Sequence, residues 1–254
     1  MHAGRLELLA RAWAAAGLAA GALLALAWID VLPGGWRLRG VVEAHAAREA
    51  RERVQHLADR CRTFASADPA QLRGGVLFLG SSTIERCPLA QVFPSARTVN
   101  RGVGGARGAE LAAHLDGLLR GVEPEAVVLY AGGPDRVAAP LDVAGALAGA
   151  EALARGVAAR CAGRPVLLLG LLPTTASTPA ELEALARIDA GLGRLADELG
   201  FAHVSLRDSD LAAADGRLRE DLSTDGLHLT EEGYAIFARR LRAAPEPFAS
   251  LLGP

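Results

Sequence analysis

The sequence contains no lysine, so its 27 basic side chains other than histidine are all arginines. That absence excludes a phosphate-binding loop of the Walker type, whose lysine reaches the β- and γ-phosphates. Cysteine is scarce: Cys61, Cys87 and Cys161 fit neither a zinc knuckle nor a C-x-x-C redox pair. An odd number leaves at least one thiol unpaired within a chain, and all three read as small buried apolar residues. An excess of one charge sign is missing too. Arginines number 27 against 29 acidic residues, for a net charge of −2. This balance gives no electrostatic reason to expect a nucleic-acid partner. There is no internal repeat, and the one glycine-rich turn that follows a strand does not fit the dinucleotide-binding fingerprint.

What is present suffices for one α/β domain with an N-terminal extension, since 254 residues with 51% hydrophobic content can bury a sizeable core. Residues Ala12 to Ile29 carry no charge. As a helix they would span roughly 27 Å, close to the ~30 Å hydrocarbon layer of a bilayer. Arg5 and Arg11 precede the run, Asp30 and Pro33 end it, and Trp13 and Trp28 sit near its two ends. The expectation is a single membrane anchor with the following domain outside the cytoplasm. Two alternatives stay open: a signal peptide cleaved after Ala25-Leu26-Ala27, with secretion, and an Ala-rich soluble helix. Residues 30–40, rich in proline and glycine, read as a linker that completes an N-terminal segment of residues 1–40. A lead-in helix is expected within residues 41–70. It runs from Val41 to Phe64 with Val54, Leu57, Cys61 and Phe64 as its apolar stripe, and Asp68-Pro69 ends it.

The domain proper is expected over residues 71–254. Apolar β-like runs at Val76–Leu79, Thr98–Val99, Ala126–Tyr130, Val166–Leu172 and Ala202–Leu206 alternate with helical stretches. The helices fall near Ala106–Arg120, Leu141–Cys161, Ala180–Leu199 and Glu231–Leu241. Short strands alternating with longer helices predict βαβ units and a mostly parallel central sheet of about five strands. In such sheets ligands bind beyond the carboxyl ends of the strands. That rule puts Gly80-Ser81-Ser82 and Gly132–Asp135 on one rim.

Four segments carry candidate chemistry. Val76–Leu79 stops abruptly at Gly80-Ser81-Ser82. A nucleophilic hydroxyl needs such a sharp turn after a buried strand, and amides following it can face an oxyanion. The same serines also suit a helix cap. Asp225-Gly226-Leu227-His228 places a carboxylate three residues before an imidazole, so one loop can deliver a base and the acid that orients it. It also reads as a solvated turn before a helix capped by Thr230. Asn100–Ala106 is a glycine-rich turn whose amides can cradle an anion or simply connect two elements. Tyr130–Asp135 ends a strand at the same rim, with Pro134 favouring a turn.

In this order the segments resemble the SGNH/GDSL hydrolases. The resemblance covers residues 75–242 and implies a flavodoxin-like three-layer α/β sandwich and serine-dependent hydrolysis of carboxylic esters, of the esterase or lipase type, with no metal or cofactor. Gly80-Ser81-Ser82 matches the first block, with Ser82 as nucleophile and Ser81 in place of the usual aspartate. Gly105 matches the second-block glycine, whose amide joins that of Ser82 in the oxyanion hole. Asp225 and His228 match the last block as orienting acid and base. The third block departs: the family's Gly-x-Asn-Asp is Gly132-Gly133-Pro134-Asp135, and Pro134 offers neither a side-chain donor nor an N–H. Arg107 and Arg136 are the nearest substitute donors by sequence. The expected partners are a small acyl ester and, through the N-terminal segment, a membrane. Alternative activities are acyl transfer or deacetylation on a cell-envelope carbohydrate or lipid, or a non-catalytic domain that keeps the fold.

Overall fold

A computed structural model describes residues 35–67, 73–131 and 141–253. The chain divides into two units, residues 1–52 and 53–254. The described part of the first is the opening of helix α1 (Gly35–Ala65). From residue 43 to 52 the described side chains are mostly exposed and pair along the helix, as in Arg48 Nε donating to Glu52 Oε1 at 2.7 Å. The helix begins inside the stretch expected to be a linker. The expected membrane span lies outside the described residues, and among those described no helix is long and apolar enough to cross a membrane.

The second unit is built on five parallel strands: β1 (Val76–Gly80), β2 (Thr98–Gly102), β3 (Ala126–Tyr130), β4 (Val166–Leu169) and β5 (Ala202–Val204). Their spatial order is β2-β1-β3-β4-β5. Strands β1, β3 and β4 are buried along their whole length, as continuous apolar runs covered on both faces should be. Between β1 and β2 lie two short helices, α2 (Ser82–Glu85) and α3 (Leu89–Val92). Then come α4 (Gly108–Ala113), α5 (Leu115–Leu118), α6 (Val143–Arg160) and α7 (Pro179–Leu199), followed after β5 by α8 (Glu231–Arg242) and α9 (Phe248–Leu252).

The chain steps one way from β1 to β2 and the other way from β2 through β5. Right-handed crossovers therefore place α2 and α3 on one face and α4 to α7 on the other. The packing agrees: α6 contacts α4 and α7, while α8 contacts α3 and α9. The result is the flavodoxin-like sandwich, and its topological switch point lies between β1 and β3. Helix α7 shows the local causes well. Thr178 and Glu181 form a reciprocal capping box, Pro179 opens the helix, and Gly200 closes it in the left-handed conformation.

Several boundaries differ from those expected. Strand β2 continues through Asn100, Arg101 and Gly102, because the polar Asn100 is satisfied within the fold: its Nδ2 donates to Ile84 O at 2.7 Å. Strands β4 and β5 stop at Leu169 and Val204. The helix expected over Ala106–Arg120 is two, broken at His114. On α1, Leu57 and Phe64 are buried but Val54 is 46% exposed. The aliphatic stem of Arg53, rather than Val54, lies against the loop that carries Gly105. Cys87 and Cys161 are buried and Cys61 partly so, all as free thiols, and burial pushes the Cys87 thiol up to about 12.

Candidate active site

The site assembles on the carboxyl rim of the sheet, beside the switch point. Strand β1 ends at Gly80, and α2 starts two residues later at Ser82. Ser81 is the N-cap residue but makes no side-chain cap, and among the described residues its buried hydroxyl has no hydrogen-bond partner. Ser82 is the first helical residue, so its amide is one of those without an intrahelical acceptor. Its Oγ lies 2.9 Å from His228 Nε2. Tyr234 of α8 braces the turn from below, donating its hydroxyl to Thr83 O at 2.9 Å. Burial pushes that phenol's pKa upward, so the hydroxyl remains a donor.

His228 comes from the loop that precedes α8. Thr230 caps that helix by accepting from the Gly233 amide at 3.1 Å, so the cap and the candidate base are neighbours. Asp225 plays two parts in the loop. Its Oδ1 accepts from the amides of Leu227 at 3.1 Å and His228 at 2.8 Å. Its Oδ2 lies 2.6 Å from His228 Nδ1. These bonds, first the one from the His228 ring, hold the Asp225 carboxyl down to about 2. An ionised carboxylate only accepts, so Nδ1 must carry the proton. Nε2 is then the acceptor for the Ser82 hydroxyl. Arg86 Nη1 also approaches Asp225 Oδ2, at 3.6 Å.

The glycine-rich loop from β2 lies alongside. A Cβ on Gly104 would stand 3.7 Å from that of Ser82. The amides of this loop can be accounted for one by one. Gly102 N–H goes to Asn100 Oδ1, Val103 N–H to Gly80 O, Gly104 N–H to Glu85 Oε2 and Ala106 N–H to Val103 O. Among the described residues, only the Gly105 amide in the run 102–106 has no acceptor. Gly105 has φ of +75°, a conformation open to glycine and strained for a residue with a side chain. Pro134, Arg136 and the rest of Gly132–Pro140 lie outside the described residues, so the third-block position adds no geometry. Arg107 serves as the N-cap residue of α4, where its amide donates to Glu110 Oε2 at 2.8 Å.

The structure therefore brings Ser82, His228 and Asp225 into one hydrogen-bonded chain, with Gly105 close by. Sequence reasoning missed Glu85 and Arg86. Both follow the nucleophile motif directly, but nothing local signals that one will reach Gly104 and the other Asp225.

A sequence profile of the GDSL-like lipase/acylhydrolase family matches residues 86–236, more than half of the chain. The chain belongs to this family. The matched stretch includes Gly105, Asp225 and His228 and begins just after Ser82. The GDSL-like fold is shared by solved structures of low sequence identity. One, described as a platelet activating factor from Streptococcus pneumonia, has a TM-score of 0.68 at 24% identity, over 80% of this chain and 97% of its own. A GDSL-like lipase from Bacteroides thetaiotaomicron VPI-5482 has a TM-score of 0.55 at 19% identity, over 74% of this chain and 95% of its own. A family 3 carbohydrate esterase from Clostridium thermocellum has a TM-score of 0.54 at 16% identity, over 71% of this chain and all of its own. No curated protein sequence matches the chain. As a GDSL-like lipase/acylhydrolase, the protein is an ester hydrolase.

Proposed function

We propose that the protein hydrolyses small carboxylic esters through a Ser82-His228-Asp225 triad. The observation that carries this reading is the unbroken hydrogen-bonded chain from Ser82 Oγ through both ring nitrogens of His228 to Asp225, at 2.9 and 2.6 Å. In the first half-reaction Ser82 Oγ bonds to the ester carbonyl carbon as His228 Nε2 takes its proton. The imidazolium then gives that proton to the leaving alkoxide as the C–O bond breaks, which leaves an acyl-serine. Water, deprotonated by the same nitrogen, attacks the acyl carbon and releases the acid and free Ser82. Asp225 holds the ring tautomer and stabilises the imidazolium. The amides of Ser82 and Gly105 receive the negative charge that develops on the carbonyl oxygen.

Pro134 at the third-block position brings no donor of its own to this hole. One oxyanion donor is typically worth roughly 10²–10³ in kcat. A two-amide hole therefore implies slower turnover than a three-donor one.

With a panel of p-nitrophenyl esters of increasing acyl length, Ser82→Ala and His228→Ala are each expected to abolish turnover. Activity that survives Ser82→Ala would overturn the assignment. An added alcohol acceptor separates transfer from hydrolysis, since transfer yields new ester at the expense of free acid. The N-terminal segment remains proposed as an anchor that holds the catalytic domain outside the cytoplasm, on the uncharged length and aromatic flanks of Ala12–Ile29. Fractionation of full-length protein with and without residues 1–34 tests that placement.

A further inference from the structure

Glu85 stands out as a charged group near a site where negative charge should build up. It lies three residues after Ser82 on the same short helix, and its side chain is largely covered. Uncompensated, a carboxylate here would oppose an oxyanion on the substrate. The structure compensates it twice over. Glu85 Oε2 accepts from the Gly104 amide at 2.7 Å. Glu85 Oε1 lies 3.2 Å from Arg60 Nε and 3.3 Å from His56 Nε2, both on α1. Arg60 reaches further and donates from Nη2 to Gly102 O at 3.0 Å. Arg53, one more turn up α1, lays its stem where a Cβ on Gly105 would be 3.5 Å away, and its Nε lies 3.6 Å from Glu110 Oε1 of α4. The loop Gly102–Gly105 is therefore gripped at its start by Arg60, one residue before Gly105 by Glu85, and alongside Gly105 by Arg53.

We propose that Glu85 is a positioning residue, and that His56 and Arg60 of α1 hold it so that, of the amides of the Gly102–Gly105 loop, that of Gly105 joins the Ser82 amide at the reacting carbonyl. This rests on the ester-hydrolase reading of the site. It adds that α1 is part of the catalytic scaffold, although His56, Arg60 and Glu85 all precede the family-matched residues 86–236. The physical reason is preorganisation. A donor stabilises a transition state in proportion to how well it is fixed before the reaction, and a glycine-rich loop has no stiffness of its own.

The test compares Glu85→Ala, Glu85→Gln and Arg60→Met with wild type. Removing the acceptor for Gly104 in Glu85→Ala is expected to lower kcat by ~10²-fold, the order of one lost oxyanion donor, with KM within about 3-fold. Glu85→Gln keeps an oxygen for the Gly104 amide and is expected to recover to within about 10-fold of wild type. Arg60→Met keeps the stem but not the guanidinium, and should fall between them. Amide exchange at Gly104, followed by NMR, should quicken at least about 10-fold in Glu85→Ala and far less in Glu85→Gln. An unchanged kcat in folded Glu85→Ala would overturn the proposal, as would a Glu85→Gln variant no better than alanine. If Glu85→Ala fails to fold, the other two variants decide it by the same measurements. A wild type that hydrolysed no ester would overturn the hydrolase reading instead, and the grip on the loop would then stand or fall on the Gly104 exchange rate.

Discussion

At the scale of single residues, Asp225 carries two separable duties. One oxygen organises its own loop through two backbone amides; the other faces the imidazole. Asp225→Asn keeps an oxygen for the loop but turns an NH₂ toward Nδ1, which favours the tautomer with its proton on Nε2. The expected result is a fall in kcat of roughly 10³–10⁴ with the fold intact. The pH dependence has a definite sign. The folded carboxyl titrates at about 2, below its ordinary 3.8, so its pairing stabilises the fold above that ordinary value. That contribution is lost as pH falls through the folded value. The urea midpoints of wild type and Asp225→Asn should therefore differ at pH 7 and converge as pH drops from 4 toward 2. A difference that persisted at pH 2 would contradict this. Loss of activity on acidification above pH 4 is likewise not protonation of Asp225. The juxtaposition of Ser82, Asp225 and His228 is legible in the chain because each stands in a short motif that the SGNH/GDSL resemblance joins. Glu85, Arg86 and the brace from Tyr234 to Thr83 are not, because their partners are fixed only when distant segments meet.

Elements were readable in proportion to how far their own residues determine them. Strands β1 and β3 are apolar from end to end, and α7 carries its cap, its opening proline and its closing glycine in the sequence. The apolar signal of strand β2 stops at Val99 because Asn100 and Arg101 are polar, and only the fold supplies what they bond to: Arg101 Nε donates to Leu118 O at 3.0 Å. The four-residue helices α2 and α3 are too short to show a period. Helix α1 is legible as a helix and, through Leu57, Cys61 and Phe64, in its facing; only Val54 departs from that stripe. Its attachment depends on Phe64, which is 5% exposed, with the Arg60 and Arg101 guanidiniums 4.5 and 4.3 Å from the ring centroid. Phe64→Ala should cost about 3 kcal/mol, and a domain of this size should then melt roughly 6–12 °C lower by calorimetry. Phe64→Leu restores apolar volume without the ring face and should recover most, but not all, of that loss. A melting temperature unmoved by alanine would mean that α1 is not anchored there.

On the scale of the whole molecule, the parallel sheet is what gathers the site. Every strand ends on the same rim, so segments far apart in sequence deliver their side chains to one place. Ser82 and His228 are separated by 146 positions, and their contact needs the entire order β2-β1-β3-β4-β5 and the return through α8. Ester turnover should therefore disappear in a single urea transition coincident with the loss of far-ultraviolet circular dichroism. Activity lost at distinctly lower urea would show that the rim loops come apart before the sheet does.

The same separation has a meaning in time. A ribosome adds about 5–20 residues each second, so the imidazole leaves it roughly 7–30 s after the serine. Through that interval the nascent chain carries the proposed nucleophile without the histidine proposed to activate it. It stays chemically quiet until the last strands and α8 fold and bring His228 to Ser82.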